Sequence, residues 1–174
     1  EDIDIFRKKN LNIITNTCSN LKLVSGVAPI YKYNEKKINL ELGTDGAGSN
    51  NALDMFKEMY ITAVLQKLSK NDVSALSTYE VLKMATVNGA RAMGLYDCDY
   101  LDVGKKADII AIDLGKPNMQ PINNIVNSLV YSAGKHNVYM TMVNGKILFK
   151  NGMYTSIDDE KVYYNVNKLM KDLV

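Results

Sequence analysis

The chain has 174 residues, of which 47% are hydrophobic, so it can bury a substantial core as one domain or as one domain with a small satellite. Its 21 basic and 19 acidic residues give a formal charge of +2 and form no dense basic run, which argues against nucleic acid or a membrane surface as a partner. No apolar run approaches the roughly 20 residues of a membrane-spanning helix, and the acidic start is unlike a secretory signal, so we expect a cytoplasmic protein.

The first half of the chain alternates short apolar runs with helical stretches, as is typical of βα units. The predicted elements are a helix at residues 1–9, a strand at 11–15, a loop at 19–33, a strand at 38–42 and a helix at 52–67. This last helix is predicted to bury one apolar stripe, and either Asn50 or Asn51 could cap its start. The stripe consists of Ala52, Met55, Phe56, Met59, Tyr60, Ala63 and Val64. A further helix begins at Ser77, which forms a capping-box pattern with Glu80, and pauses near Asn88.

After Gly104 the strand signals follow one another directly, with turns between them. Strands are predicted at residues 107–112, 126–131, 138–143 and 146–149. Asn144 and Gly145 form the strongest hairpin signal in the chain, because both residues tolerate the positive φ angles of a tight type I′ turn. A mixed-charge helix is predicted for residues 156–174.

Asp45 is the main candidate for a residue that carries chemistry. It follows the predicted strand at 38–42 in the sequence Leu-Gly-Thr-Asp-Gly, where parallel sheets and barrels collect active-site groups. Thr-Asp-Gly is also an ordinary turn sequence, and the local pattern by itself favours that interpretation. Further sequence signals are therefore needed to assign Asp45 a function.

Other potential metal ligands are few. His136 is the single histidine, whereas zinc sites in hydrolases usually take two or three imidazoles, so the chain cannot supply a complete set. His136 lies in a polar stretch before a strand, and we predict a surface position for it rather than a role as a ligand. Cys18 and Cys98 lack the spacing of metal or redox motifs and are interpreted as small apolar residues.

Several motifs, in order along the chain, give it a family resemblance. Residues 42–59 read LGTDGAGSNNALDMFKEM and resemble the last-strand segment of the amidohydrolase superfamily, in particular of its methylthioadenosine and S-adenosylhomocysteine deaminases. Residues 16–29 are similar to the penultimate strand and following loop of that branch, with Thr17 where the branch often has Pro. Segments shared across the superfamily are similar to residues 85–95, 104–110 and 143–146.

The resemblance implies an α/β fold, namely the carboxyl-terminal fragment of a metal-dependent hydrolase with a TIM-type (β/α)8 barrel plus part of a small β-sandwich satellite domain. A complete barrel needs about 250 residues, and only two barrel strands are predicted here. We therefore expect residues 1–103 to hold the last two βα units and the helices after them. Residues 104–156 would form the carboxyl-terminal part of the composite β domain, and residues 157–174 a terminal helix.

The resemblance also implies site residues and a cofactor. Asp45 is expected to be a metal ligand and to accept a proton from the metal-bound water that attacks a ring carbon bearing an amine. Asn16, Ser19 and Asn20 lie where the family's substrate-binding loop would be, although Asn and Ser are also common in turns. One divalent metal, with zinc as the expected ion, belongs to the complete protein, and this chain is not expected to hold it alone.

Three further residues have two interpretations each. Ser49 and Asn50 either orient Asp45 or cap the helix that follows, and capping is favoured. Arg91 either binds an anion or joins the barrel to the satellite domain, and the structural role is favoured.

The leading hypothesis is a fragment, inactive by itself, of an enzyme that hydrolytically deaminates an adenine nucleoside such as methylthioadenosine or S-adenosylhomocysteine. A parent enzyme that acts on guanine, cytosine or a triazine is the alternative in the same class, and a non-catalytic binding or assembly module is a third hypothesis. The start at Glu1, without Met and in a helix-like stretch, favours truncation. We expect the open strand edges to be covered by a second copy or by the missing amino-terminal part.

Overall fold

The computed structural model of the protein describes residues 2–173 and shows a mixed α/β chain. The chain divides into two compact units, and each has its own sheet. The first unit comprises the residues up to Lys105 together with Leu114–Asn137, and the second comprises Lys106–Asp113 and the segment from Val138 onward. Within the described residues, no helix is both long enough and apolar enough to cross a membrane.

The first unit combines a two-stranded parallel sheet with helices. Its elements are α1 (Asp2–Lys8), β1 (Asn12–Thr15), α2 (Thr17–Lys22), α3 (Ile30–Glu35), β2 (Asn39–Leu42), α4 (Met55–Lys70), α5 (Thr78–Met84), α6 (Val87–Ala92) and α7 (Ile125–Tyr131). β1 and β2 pair in parallel, with Asn12 opposite Asn39 and Thr15 opposite Leu42. The predicted strands at 11–15 and 38–42 are confirmed, and so is the predicted helix at 1–9 over Asp2–Lys8, while Glu1 lies outside the described residues.

The buried face of α4 differs from the predicted apolar stripe. Tyr60 and Val64 are exposed, and Ala52 lies before the helix begins. The buried positions are the apolar Phe56, Met59 and Ala63 and the polar Glu58, Thr62 and Gln66. The helix can turn these polar side chains inward because each has a hydrogen-bond partner there.

The cap of α4 is Asp54, whose carboxylate accepts a hydrogen bond from the backbone N–H of Phe56 at 3.0 Å. The prediction that Asn50 or Asn51 caps this helix is therefore wrong. The reason is that the chain after β2 continues as turns until the helix begins at Met55, so the cap falls later in the sequence.

The helices after α4 begin where the sequence predicts but break earlier. The Ser77 hydroxyl accepts a hydrogen bond from the backbone N–H of Glu80 at 3.2 Å, as predicted. The Glu80 carboxylate pairs with Nζ of Lys83 at 3.0 Å. The break between α5 and α6 falls at Thr86, which has a φ of −135° and a ψ of −100°, whereas Asn88 lies inside α6.

The prediction of one loop over residues 19–33 is wrong at both ends. Ser19 lies within α2, and α3 begins at Ile30. Gly26, with a φ of +90°, and Pro29 fall between these two helices. The turn-forming residues therefore predict the middle of the segment correctly, but they do not mark its boundaries.

The prediction of a strand at residues 126–131 is also wrong, because α7 occupies this stretch. Asn124 caps the helix by accepting a hydrogen bond from the backbone N–H of Asn127 at 2.9 Å. Val130 is fully buried on α7, which packs against α4 and α5. The cap and the tertiary packing outweigh the β propensity of the apolar residues.

The second unit is a four-stranded antiparallel sheet followed by a helix. Its elements are β3 (Ile109–Ile112), β4 (Val138–Val143), β5 (Lys146–Lys150), β6 (Met153–Tyr154) and α8 (Asp159–Leu173), with the strands in the order β3-β4-β5-β6. Asn144 and Gly145, with φ angles of +48° and +78°, connect β4 to β5 as the hairpin signal predicts. The predicted strands at 107–112, 138–143 and 146–149 are confirmed.

Candidate active site

The carboxyl ends of β1 and β2 lie at the same edge of their parallel sheet. The post-β1 segment (residues 16–22) and the post-β2 loop (residues 43–53) begin there. The backbone N–H of Gly43 donates to the carbonyl of Thr15 at 3.0 Å and extends the pairing. A Cβ at Gly43 would collide with Oδ1 of Asn16, so the two segments pack closely at a position that suits glycine.

Asp45 is exposed on the post-β2 loop and has a left-handed φ of +59°. The hydroxyl of Ser19 donates to its Oδ2 at 2.6 Å, and the backbone N–H of Gly46 donates to its Oδ1 at 2.7 Å. These hydrogen bonds, first that of Ser19 and then those of Ser49 and Gly46, lower the pKa of the Asp45 carboxyl below its ordinary value. The carboxylate is therefore ionised at neutral pH and accessible at the sheet edge.

The predicted substrate-binding residues occupy different positions around Asp45. Ser19 contacts Asp45 directly but is only 2% exposed. Asn16 is half-buried and packs over Gly43. Asn20 is half-buried in α2, where its backbone N–H donates to the carbonyl of Asn16 at 2.9 Å. Contact of these three residues with substrate stays a prediction.

A fully buried carboxylate, Glu58, connects the two segments and was not identified as important from the sequence. Its Oε2 accepts a hydrogen bond from the backbone N–H of Cys18 at 3.1 Å. Its Oε1 accepts one from Nδ2 of Asn50 at 2.5 Å, and the same amide donates to the carbonyl of Thr44 at 2.8 Å. Glu58 thus contacts the post-β1 segment with one oxygen and the post-β2 loop with the other.

Two further buried polar residues of α4 bind neighbouring segments. The hydroxyls of Thr62 and Thr17 share a hydrogen bond of 2.7 Å. Gln66 donates to the carbonyl of Ala28 at 3.0 Å and accepts from the backbone N–H of Tyr31 at 3.2 Å. Glu58, Thr62 and Gln66 recur every four residues, and this helical spacing of polar residues is the sequence signal that could have identified them.

On the exposed side, Lys22 also links α2 to the post-β2 loop. Its Nζ donates to the carbonyl of Gly48 at 2.9 Å and to Oδ1 of Asn51 at 2.6 Å. Lys22 and Cys18 line a cavity of about 420 Å³ beside this contact. Burial, and then the neighbouring Glu58 carboxylate, raise the pKa of the Cys18 thiol to about 12, so the thiol is protonated and is not a nucleophile.

Other residues singled out in the sequence have structural contacts. His136 is exposed, as predicted. Nε of Arg91 pairs with Oδ2 of Asp99 at 2.8 Å, and Lys105 pairs with the same carboxylate. The hydrogen bonds of Lys105 and then Arg91 lower the pKa of the Asp99 carboxyl. These three residues lie in the first unit, where they stabilise the segment after α6.

The described residues do not form a complete metal site. Among residues 2–173, no three His, Cys, Asp or Glu side chains lie close enough together to hold a metal ion. Protein zinc sites take three or four ligands of these types. The immediate neighbours of Asp45 include the Ser19 hydroxyl, the Gly46 N–H and Ser49, which hydrogen-bond to it. Metal ligation by Asp45 stays a prediction.

The class of protein is defined by a family match: residues 1–148 match the amidohydrolase family, and the chain belongs to it. It is 45% identical over 173 residues to 5'-deoxyadenosine deaminase of Methanosarcina mazei. The alignment covers 99% of this chain and 40% of the relative. It is 42% identical over 176 residues to 5-methylthioadenosine/S-adenosylhomocysteine deaminase of Caldanaerobacter subterraneus. The alignment covers 100% of this chain and 40% of the relative. The chain spans about 40% of the length of the curated relatives it matches, and the predicted family resemblance is confirmed.

Solved structures share the α/β architecture. An adenosine deaminase of Xanthomonas campestris with bound zinc matches with a TM-score of 0.95 and 34% identity, covering 98% of this chain and 39% of that one. An atrazine chlorohydrolase of Arthrobacter aurescens in complex with zinc matches with a TM-score of 0.88 and 26% identity, covering 97% of this chain and 38% of that one.

Proposed function

We propose that this chain is the carboxyl-terminal part of an enzyme that hydrolytically deaminates an adenine nucleoside such as methylthioadenosine, S-adenosylhomocysteine or 5'-deoxyadenosine. The observation that carries the proposal is the ionised, exposed carboxylate of Asp45 after β2, held by Ser19 from the neighbouring strand's segment. The names of the relatives, which describe deamination of such nucleosides, support the substrate class.

The chemistry requires a base near the attacking water. Hydrolytic deamination adds water to the ring carbon that bears the exocyclic amine, and ammonia then leaves from the tetrahedral adduct. The water must lose a proton, and an ionised carboxylate within hydrogen-bond reach can accept it. Asp45 suits this role, since the hydrogen bonds from Ser19 and Gly46 keep it ionised while it stays exposed.

A complete site would need groups from elsewhere. We define the parent protein as the polypeptide that joins this chain to segments matching the rest of its relatives. In the parent protein we expect one divalent metal, with zinc as the expected ion, and we assign one of its ligands to Asp45. The other ligands would come from segments outside this chain, because the described residues contain no group of three His, Cys, Asp or Glu side chains that could hold the ion.

We further propose that β1 and β2 are the last two strands of a (β/α)8 barrel, and that β3–β6 belong to a smaller β domain. Parallel sheets are normally covered on both faces. Ile14 on β1 is nevertheless 63% exposed, and a two-stranded sheet is too small to be stable without further covering. Additional strands, or a second copy of the chain, would cover Ile14.

The similarity to an atrazine chlorohydrolase favours hydrolysis of a triazine as the second candidate function. The two functions are separated by assaying the parent protein with adenine nucleosides, guanine, cytosine and atrazine while ammonia and chloride are measured. The proposal predicts ammonia release from at least one adenine nucleoside. Turnover of atrazine, guanine or cytosine alone would contradict the substrate class, and no turnover at all would support a non-catalytic binding module. The isolated chain with added zinc is expected to release no ammonia.

A further inference from the structure

The contact between Ser19 and Asp45 depends on two separate segments. Ser19 lies in the post-β1 segment, and Asp45 lies on the post-β2 loop, 26 residues further along the chain. Their hydrogen bond of 2.6 Å therefore forms only if the backbones of the two segments hold a fixed distance from each other. The hydrogen bond alone does not determine that distance, since the Asp45 side of it is exposed.

Glu58 of α4 accepts hydrogen bonds from both the post-β1 segment and the post-β2 loop. One carboxylate oxygen accepts from the backbone N–H of Cys18, which directly precedes Ser19. The other accepts from Nδ2 of Asn50, which also donates to the carbonyl of Thr44, the residue that directly precedes Asp45. The residue before Ser19 thus hydrogen-bonds directly to the Glu58 carboxylate. The residue before Asp45 is connected to the same carboxylate through the Asn50 amide.

The position of Glu58 itself is fixed by packing. It is 0% exposed on α4, and one turn further along the helix the buried Thr62 binds Thr17 of the post-β1 segment. A buried carboxylate is strongly destabilising unless both oxygens have hydrogen-bond donors. Moving either segment away would leave an oxygen of Glu58 without its donor, so burial of Glu58 resists such movement.

We propose that Glu58 is a positioning residue, which acts through Cys18 and Asn50 to keep the Ser19 hydroxyl against the Asp45 carboxylate. Glu58 is fully buried and does not contact solvent. Its effect on catalysis rests on the proposed function, whereas its effect on the Ser19–Asp45 contact can be tested without any activity.

The first test uses the parent protein and nuclear magnetic resonance. The amide of Gly46 donates to Oδ1 of Asp45 and reports the placement of that carboxylate. The variant Glu58→Gln keeps the side-chain size but places an amide N–H₂ against one of the two donors. We expect it to move the Gly46 resonance in the same direction as Ser19→Ala does. Gln66→Ala, a change at an equally buried polar residue of the same helix, is expected to leave that resonance in place.

The second test measures kcat and KM of the parent protein. Small misplacement of catalytic groups can lower a rate by about 10²-fold, so we expect Glu58→Gln to lower kcat to that extent with little change in KM. Gln66→Ala should keep the wild-type kcat even where it lowers thermal stability. If Glu58→Gln does not fold, Asn50→Ala removes the amide that joins Glu58 to the Thr44 carbonyl and keeps the bond of Glu58 to Cys18, and it should shift the same observables in the same direction.

The outcomes separate the two proposals. If the wild-type parent protein deaminates no nucleoside, the proposed function fails, and the Gly46 resonance still decides the role of Glu58. If the Gly46 resonance is unchanged in Glu58→Gln and Asn50→Ala, Glu58 does not position Asp45. If Gln66→Ala lowers kcat as much as Glu58→Gln does, the effect is general destabilisation, and the positioning role is likewise overturned.

Discussion

The Ser19 hydroxyl donates a 2.6 Å hydrogen bond to Oδ2 of Asp45 and so joins the segments that follow β1 and β2. This contact is the largest contribution that lowers the pKa of the Asp45 carboxyl. It also provides a hydrogen-bond acceptor for the hydroxyl of Ser19, which is buried. The parallel pairing of β1 and β2 brings these residues to one sheet edge, and Glu58 of α4 accepts hydrogen bonds from both segments.

The first prediction concerns the Ser19–Asp45 contact. Ser19→Ala should raise the pKa of Asp45 toward the ordinary value of an aspartate, because the hydrogen bond favours the ionised form. In the wild type, the folded-state pKa lies below the unfolded-state value. The contact therefore contributes stability above the unfolded-state pKa and loses it as the pH falls through the folded-state pKa. Carboxyl carbon shifts measured over a pH titration of the chain give the pKa directly.

A matched control is the exposed pair Ser74 and Asp72. The Ser74 hydroxyl donates to Oδ1 of Asp72 at 2.6 Å and is the main cause of the lowered pKa of that carboxyl. Ser74→Ala should raise the pKa of Asp72 and leave that of Asp45 unchanged. An Asp45 pKa that is the same in Ser19→Ala and in the wild type would contradict the assigned cause.

The second prediction concerns Glu41 on β2, which is 2% exposed and whose Oε2 has no hydrogen-bond partner among the described residues. Burial raises the pKa of this carboxyl to about 7. Between the ordinary value of about 4.3 and that value, the folded chain binds a proton that the unfolded chain has released. The free energy of unfolding should therefore fall as the pH rises through this interval and level off above it.

Glu41→Gln removes the titrating group without changing the size of the side chain. Relative to this variant, the wild type should lose on the order of 3 kcal/mol of unfolding free energy between about pH 4 and pH 8. Urea denaturation at a series of pH values measures the difference. A difference that does not vary with pH would show that Glu41 does not titrate in this range.

The third prediction concerns the start of α4. Asp54→Ala removes the side chain that accepts from the backbone N–H of Phe56, and loss of such a cap costs about 1 kcal/mol of unfolding free energy. Asp54→Asn keeps an oxygen acceptor and should retain most of that stability. Chemical denaturation of the two variants distinguishes a cap from a simple effect of charge, which would make both variants equally unstable.

The fourth prediction concerns Ile14, the exposed apolar residue of β1. Ile14 is 63% exposed, and we expect the isolated chain to self-associate partly through this residue. Ile14→Lys should lower the average mass measured by sedimentation velocity, whereas Val73→Lys, at a residue that is also exposed but lies after α4, should not. Equal effects of the two substitutions would show that association does not depend on Ile14.

Local signals in the sequence predict much of the secondary structure. Asn144 and Gly145 adopt the positive φ angles that their hairpin requires, and the Ser77 hydroxyl caps α5. The strand that precedes Asp45 could also be predicted, because its alternating apolar residues and the glycine after it are close together in the sequence. These features depend on residues that are close together along the chain.

Features that depend on distant partners could not be predicted in the same way. The sequence of α7 favours a strand, and the helix depends on packing against α4 and α5. The role of Glu58 depends on the Cys18 amide 40 residues away, and that of Ser19 on Asp45 26 residues away. A sequence pattern can place Glu58 on a helix face, but only the folded chain shows which donors reach it.

The most direct test of the account is the rate of ammonia release by the parent protein and its Asp45→Asn variant, with 5'-deoxyadenosine and methylthioadenosine as substrates. The variant keeps the size of the side chain but cannot accept a proton or carry a negative charge. Loss of a catalytic acid–base group lowers rates by about 10²- to 10⁴-fold, and we predict a loss of at least this size with the fold retained. A variant that releases ammonia at the wild-type rate would contradict the assignment of Asp45 to the site.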